Sequence, residues 1–194
     1  KSPHIPYVLY SLVKFGAPPE IQYLANPHVC SDKIRKVIPP MREYLEAQGC
    51  TTHFDTKVTG LIYQPERVTG VMLEDGTKIE GSAVILCTGH SASDILYHLH
   101  ENGVAMEGKS FAVGLRIEHP QTEINRMQYR DYAAHPELGA ANYRLADHDN
   151  RTGIGVYSFC MCPGGYVISS GTEADGIVSN GMSNYARNSP FANA

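Results

Sequence analysis

The residues with most chemical potential gather where an apolar run ends: Ala83-Val84-Ile85-Leu86-Cys87 leads into Thr88-Gly89-His90-Ser91. Consecutive apolar residues without alternation fit a strand buried on both faces, as in a parallel sheet. Ligands of open α/β sheets sit beyond the carboxyl ends of such strands, where a following helix offers unpaired N–H groups to an anion. Gly89 at the strand exit would let the backbone approach a ligand with no Cβ in the way. The same residues equally describe a tight connection in which Ser91 caps the next helix, and His90 alone reads as an exposed loop residue. Gly89-His90-Ser91-Ala92-Ser93 also falls one residue short of the G-x-S-x-G nucleophile elbow. A serine hydrolase using Ser91 therefore stays among the alternatives, with His and Asp partners that only folding would supply.

Two further groups invite chemistry. In Cys160-Met161-Cys162-Pro163-Gly164-Gly165 the thiols are two residues apart, so on a strand they share a face. The spacing lacks a C-x-x-C and a second ligand pair, which argues against structural zinc and leaves two buried free cysteines as the plain reading. The two glycines permit a tight hairpin or close contact with a flat ligand, and the hairpin suffices. Arg116, Glu118 and His119 meet near a strand end. Arg116 would fix a carboxylate or phosphate through its planar fork if it faced a cleft, whereas alternating charges on a solvated strand are the commoner arrangement. Gly153-Ile154-Gly155 lacks the third Gly of a dinucleotide fingerprint, and Asp147-His148-Asp149 lacks the spacing of a calcium loop.

The elements that must carry these residues follow from periodicity. Tyr7 to Phe15 reads as a short helix stopped by Gly16-Ala17-Pro18-Pro19, with another turn over Ile21 to Leu24. Ser31 is the expected N-cap of a helix whose apolar face is Ile34, Val37, Ile38, Met41, Tyr44 and Leu45, closed by Gly49. Pro39-Pro40 should kink or split it. Thr51 to Phe54, Val58 to Tyr63, Val68 to Leu73 and Thr77 to Ile79 form an expected antiparallel meander, with Asp75-Gly76 as its last turn. Ser91 to Asp94 resembles a capping box ahead of Ile95, Leu96 and Leu99. Beyond Gly103, a strand is expected over Phe111 to Ile117 and a short helix over Thr122 to Met127. A hairpin then pairs Val156 to Cys162 with Tyr166 to Ser170, and a last strand lies near Ile177 to Ser179.

A formal charge of -4 gives no broad field for gripping phosphate backbones or anionic lipid, so no nucleic acid or membrane is expected as partner. No run approaches the roughly 20 apolar residues that cross a bilayer. Five cysteines at irregular spacing favour a reducing compartment, the cytoplasm, over a disulfide scaffold.

Several blocks together resemble the FAD-dependent dehydrogenase/oxidoreductase family of bacteria and plastids. They are Phe15-Gly16-Ala17-Pro18, Pro27-His28 with Ser31-Asp32-Lys33, Gly89-His90-Ser91-Ala92 with Asp94, Phe111 through Gln121, Phe159 through Gly165, and Asn180-Gly181-Met182-Ser183. The resemblance implies an α/β (α+β) fold. Residues 1–105 would form part of an FAD/NAD(P)-binding Rossmann-like domain carrying the small meander, and 106–194 part of an inserted, mainly β substrate domain.

It implies FAD as cofactor, NAD(P)H as electron donor, a small-molecule substrate, and a plastid location for a plant or algal source. Lys57-Val58 would pass the adenine end of FAD, and Thr88, Gly89 and His90 would line the cofactor turn. Gly164-Gly165 would offer backbone to it, while Arg116, His119 and Cys162 would look toward the flavin as candidate catalytic groups. The family's G-x-G-x-x-G loop and glycine-rich flavin segment are absent from the sequence, so a central fragment is expected. Cys30 stands where the family pattern has Gly, and Ser93 where it has Arg. The rival from another class is a non-catalytic nucleotide-binding module.

Overall fold

The computed structural model describes residues 2–65, 67–89, 91–171 and 176–194. The chain divides into two compact units, residues 51–113 and residues 1–50 with 114–194. This division differs from a single boundary at 105/106. The molecule is mixed α/β, and every strand pairing among the described residues is antiparallel.

In the 51–113 unit, β1 (Val58–Gln64), β2 (Arg67–Leu73) and β3 (Lys78–Glu80) form the expected meander, without a strand over 51–54. Its last turn closes as Asp75-Gly76 dictates. Leu73 N donates to Thr77 O at 2.9 Å, Asp75 Oδ1 accepts from Thr77 N at 2.9 Å, and Gly76 takes φ +84. Helix α3 (Ser93–Glu101) docks on β1. Gly60 allows this, because a Cβ there would lie 2.5 Å from the His98 ring, and His98 Nε2 accepts from Leu61 N at 3.1 Å. Helix α3 starts at Ser93 with Ala92 as its cap residue, one position later than the expected capping box beginning at Ser91.

The buried parallel strand over 83–87 is not formed either. Ile85 is 86% exposed and Leu86 40%, and the run has no strand neighbour among the described residues. A strand apolar on both faces needs paired strands on its two edges and layers above and below it. This unit offers only a three-stranded antiparallel meander.

In the other unit, α1 (Ile5–Lys14), a 3-10 turn (Pro19–Gln22) and α2 (Ser31–Ala47) bury Ala17, Ile21 and Val37 against Leu12, Val13, Ile34 and Met41. Helix α2 runs unbroken through Pro39 and Pro40 instead of splitting. It ends as its sequence requires: Gly49 N donates to Glu46 O and Cys50 N to Leu45 O, each at 3.0 Å, with Gly49 at φ +92. Its start differs from expectation, since Ser31 is the first helical residue and Cys30 the cap residue.

Cys30 adopts φ 65, ψ 158, a region open almost only to Gly, and such strain costs about 1–3 kcal/mol. This gives physical meaning to Cys occupying a Gly position. Cys30→Gly is expected to raise stability by about 1 kcal/mol after the loss of the half-buried side chain's contacts. Comparing urea midpoints of the two proteins checks this, and an unchanged or lower midpoint would count against the strain.

The second core of this unit joins Ile124, Ala141, Met161 and Ala192. It lies around β4 (Glu118–Pro120), α4 (Gln121–Tyr129) and β9 (Phe191–Asn193), with β4 and β9 paired. A 3-10 turn (Arg130–Tyr132) follows α4. Strand β5 (Ala146–Asp149) pairs with β6 (Ile154–Tyr157), and β7 (Gly165–Ser169) with β8 (Ser179–Ser183). Two expectations fail here. The strand over 111–117 shrinks to β4 plus a two-way backbone pair between Ile117 and Ala194, leaving Leu115 93% exposed. The hairpin around Pro163-Gly164-Gly165 is absent, because β6 and β7 take other partners and Cys162 bridges to Asn193.

Candidate functional site

Strand alternation decides which candidate residues meet. Asn193 lies opposite both Glu118 in β4 and Cys162 in an isolated bridge, so one face collects even-numbered positions of 116–120 with Cys162 and Asn193. Arg116 Nη1 donates to Asn193 Oδ1 at 2.8 Å. Gly181 of β8 packs directly on this pair. A Cβ there would stand 2.2 Å from Asn193 Oδ1 and 2.7 Å from both Arg116 Nη1 and Cys162 Sγ. Asn193 is fully buried. Arg116 Nε and Asn193 Nδ2 are sealed from solvent without an acceptor, a burden of about 1–3 kcal/mol for each unpaired donor.

Cys162 is half-buried beside them, and burial pushes its thiol pKa up. Its hydrogen bond with Ser183 and the charges of Arg116 and Arg187 oppose the shift. Burial likewise raises Cys30, whose thiol hydrogen-bonds Arg187. Cys160 is exposed, against the expectation that it is a buried thiol.

His119, three residues from Arg116, falls on the opposite face with the second core. Its Nε2 lies 3.4 Å from Tyr143 Oη, their rings 5.6 Å apart, and burial raises the Tyr143 pKa. The structure therefore joins Arg116 with Cys162 and separates both from His119.

Gly164 and Gly165 are buried and fully used by packing. A Cβ on Gly164, at φ +50, would lie 1.8 Å from Arg187 O, and one on Gly165 would lie 2.5 Å from Met182 O. Their missing side chains make room for neighbouring backbone, which leaves no open face for a flat ligand. Gly164 N donates to Gln121 Oε1 at 2.7 Å, while Gln121 Nε2 donates to Ala141 O and Asn125 Oδ1, each at 2.8 Å.

In the 51–113 unit, Thr88 and Gly89 are exposed, and Gly89 has φ +77 with nothing within 4 Å of a would-be Cβ. The turn is open, as a ligand-approach glycine requires. It is a loop following an exposed run, so the elbow reading of Ser91 lacks its strand. His90 lies outside the described residues. Val58 opens β1, and Lys57 Nζ reaches Glu74 Oε1 at 3.7 Å and Asp94 Oδ2 at 3.9 Å, tying the meander to α3. Two shallow cavities, about 420 and 490 Å³, are lined by Gln128, Tyr129, Tyr132, His135 and Leu138, and by residues of 64–82. Neither contains a candidate residue.

Asn193, Gly181 and Gln121 are the residues that sequence reasoning missed. Gly181 stands in a block that carried the family resemblance, which was a usable signal. Asn193 had none. No group of three metal-ligating side chains occurs among the described residues. No described helix is long and apolar enough to cross a membrane.

Comparison with known proteins gives two family matches. Residues 20–124 match the pyridine nucleotide-disulphide oxidoreductases, and residues 110–194 match the "FAD-dependent protein, C-terminal domain-like" family. The chain belongs to the pyridine nucleotide-disulphide oxidoreductase family. FAD is the cofactor that both matches support, and the fold of this family is FAD/NAD-binding and Rossmann-like. A Clostridium beijerinckii protein described as uncharacterized is 40% identical over 188 residues, covering 97% of this chain. The chain spans 35% of that relative's length.

Within the 51–113 unit, the open backbone approach at Gly89 fits a flavin nucleotide.

Proposed function

We propose that this chain is part of an FAD-dependent oxidoreductase that transfers hydride between a small-molecule substrate and flavin, with NAD(P)H as the electron donor. The observation that carries the reading is the open, left-handed Gly89 turn within the segment matching the oxidoreductase family. Bound FAD would supply hydride acceptance and donation. The chain's own residues supply placement. Thr88 and Gly89 present backbone without a side chain in the way, and Lys57-Val58 present the start of β1 to the nucleotide's adenine end. Arg116 contributes a fixed positive charge toward an acidic group. Arg116 and Cys162, which share a strand face, are taken as the flavin-side pair of the proposal, and His119 contacts Tyr143 instead.

The division into a cofactor part over 1–105 and a substrate-facing part over 106–194 belongs to the same proposal, and the two matched segments, 20–124 and 110–194, support it. So does a reducing compartment, the cytoplasm, which suits five free thiols.

The test uses the full-length protein. It should purify with, or be reconstituted to, the visible absorption of bound flavin, and NAD(P)H should bleach it. Gly89→Ala places a Cβ at φ +77, a conformation costing about 1–2 kcal/mol, and is expected to weaken FAD binding about tenfold. A folded, colourless protein that takes up no FAD would overturn the reading. Flavin that binds tightly but is never reduced, by NAD(P)H or by light, would make it a nucleotide-binding module instead.

A further inference from the structure

Strand β1 is an edge strand, bonded to β2 alone, and such an edge presents backbone N–H groups that the sheet does not use. One of them, Leu61 N, donates to His98 Nε2 of α3 at 3.1 Å. A backbone N–H can only donate, so Nε2 carries no hydrogen and the ring proton of neutral His98 sits on Nδ1. Nδ1 lies 3.5 Å from the Asn102 amide nitrogen, which donates to His98 O at 2.8 Å. The Tyr63 ring of β1 stacks on the imidazole, centroids 6.2 Å apart, and Gly60 leaves room for it. A second ring proton would set an N–H against the Leu61 N–H, so the docked contact and a charged ring exclude each other.

The charges around the contact give such a ring little in return. Asp94 and Glu101, at i−4 and i+3 from His98, share its side of α3, yet neither pairs with it among the described residues. Asp94 accepts from Ile95 N at 3.0 Å and faces Lys57 Nζ at 3.9 Å, while Lys57 also reaches Glu74. The Gly89 turn depends on this helix. The run over 83–87 that enters the turn has no strand neighbour among the described residues, whereas α3 begins at Ser93, just beyond Gly89, and is packed on β1.

We propose that His98 is a positioning residue for the Gly89 turn: its neutral imidazole clamps α3 to the edge of β1, and acidification loosens the clamp and the turn together. The contact is whole while imidazole is neutral, above about pH 6.5, and is opposed as pH falls below that value. Its consequence for FAD rests on the oxidoreductase reading above; the clamp does not.

Amide hydrogen exchange of the full-length protein, corrected for the intrinsic dependence of exchange on pH, reads the clamp without flavin. Protection of β1 and α3 is expected to fall about tenfold between pH values of about 8 and about 5.5. The FAD dissociation constant, measured at the same two values, should rise about tenfold. His98→Gln keeps an oxygen to accept from Leu61 N but takes up no proton, so both changes should vanish, and His100→Gln should leave both in place. Gly60→Ala reaches the clamp by another route, since its Cβ would stand 2.5 Å from the ring, and should give low protection at both pH values. Equal protection of the parent protein at the two values, or an undiminished fall in His98→Gln, would overturn the proposal. A fall in protection with unchanged FAD affinity would overturn it too, by freeing the turn from α3. Exchange that depends on pH in a protein that takes up FAD at neither value would sink the flavin reading alone.

Discussion

Gly164→Ala is expected to destabilise the protein by about 3 kcal/mol or more, a large share of the roughly 5–15 kcal/mol that holds a domain folded. Two effects add. The residue sits at φ +50, where an L side chain is strained, and the new Cβ would lie 1.8 Å from Arg187 O, 2.2 Å from Arg187 C and 2.9 Å from its Cα. These are backbone atoms, which no rotamer change can move. Arg187 has little freedom to give, since it holds φ 47 itself and its N–H is bonded to Asn184 O at 3.0 Å. Urea unfolding followed by circular dichroism reads the effect. A midpoint shift equivalent to less than about 0.5 kcal/mol, the range of an ordinary surface substitution, would mean that the approach of these two chain segments is wrong.

Gln121→Leu should be nearly as damaging, about 2–4 kcal/mol, although it conserves size and adds apolar surface. Gln121 is 6% exposed and satisfies both the Gly164 N–H and the Ala141 carbonyl. Leucine leaves a donor and an acceptor buried without partners. Gln121→Glu offers a contrast: it can still accept from Gly164 N but no longer donates to Ala141 O, so its loss should be distinct from that of leucine. Because Gln121 and Gly164 are bonded directly, the double variant Gln121→Leu with Gly164→Ala should lose less than the sum of the two single changes. Strict additivity in equilibrium unfolding would argue that the two residues do not share one network.

What the sequence revealed was local. Helix α2 was legible because Ile34, Val37 and Met41 recur at helical spacing and Gly49 supplies its stop. The β2–β3 turn was legible because Asp75-Gly76 specifies it chemically. Where a residue's meaning depends on distant neighbours, sequence reading misassigned it. Ala83 to Cys87 has the composition of a doubly buried strand, but composition cannot provide the flanking strands. Pro163-Gly164-Gly165 has the composition of a turn, and the same glycines serve equally to let two backbones touch. The candidate site splits along the same line. Arg116 and Cys162 could be proposed from their chemistry, and period-two alternation separates Arg116 from His119. The Asn193 amide that holds Arg116 lies 77 residues further along the chain and carries no local mark of that role.

Helix α2 illustrates how far local preference can be overruled. Pro39 and Pro40 stand inside it, so two successive rungs of its i→i−4 ladder, those to the carbonyls of Arg35 and Lys36, are missing. Such a segment would not hold helical shape as an isolated peptide. It persists because Val37, fully buried, is gripped by Ala17 and Ile21. The helicity of residues 31–47 is therefore a readout of docking, and whatever loosens the contact with Ile21 will also melt the helix.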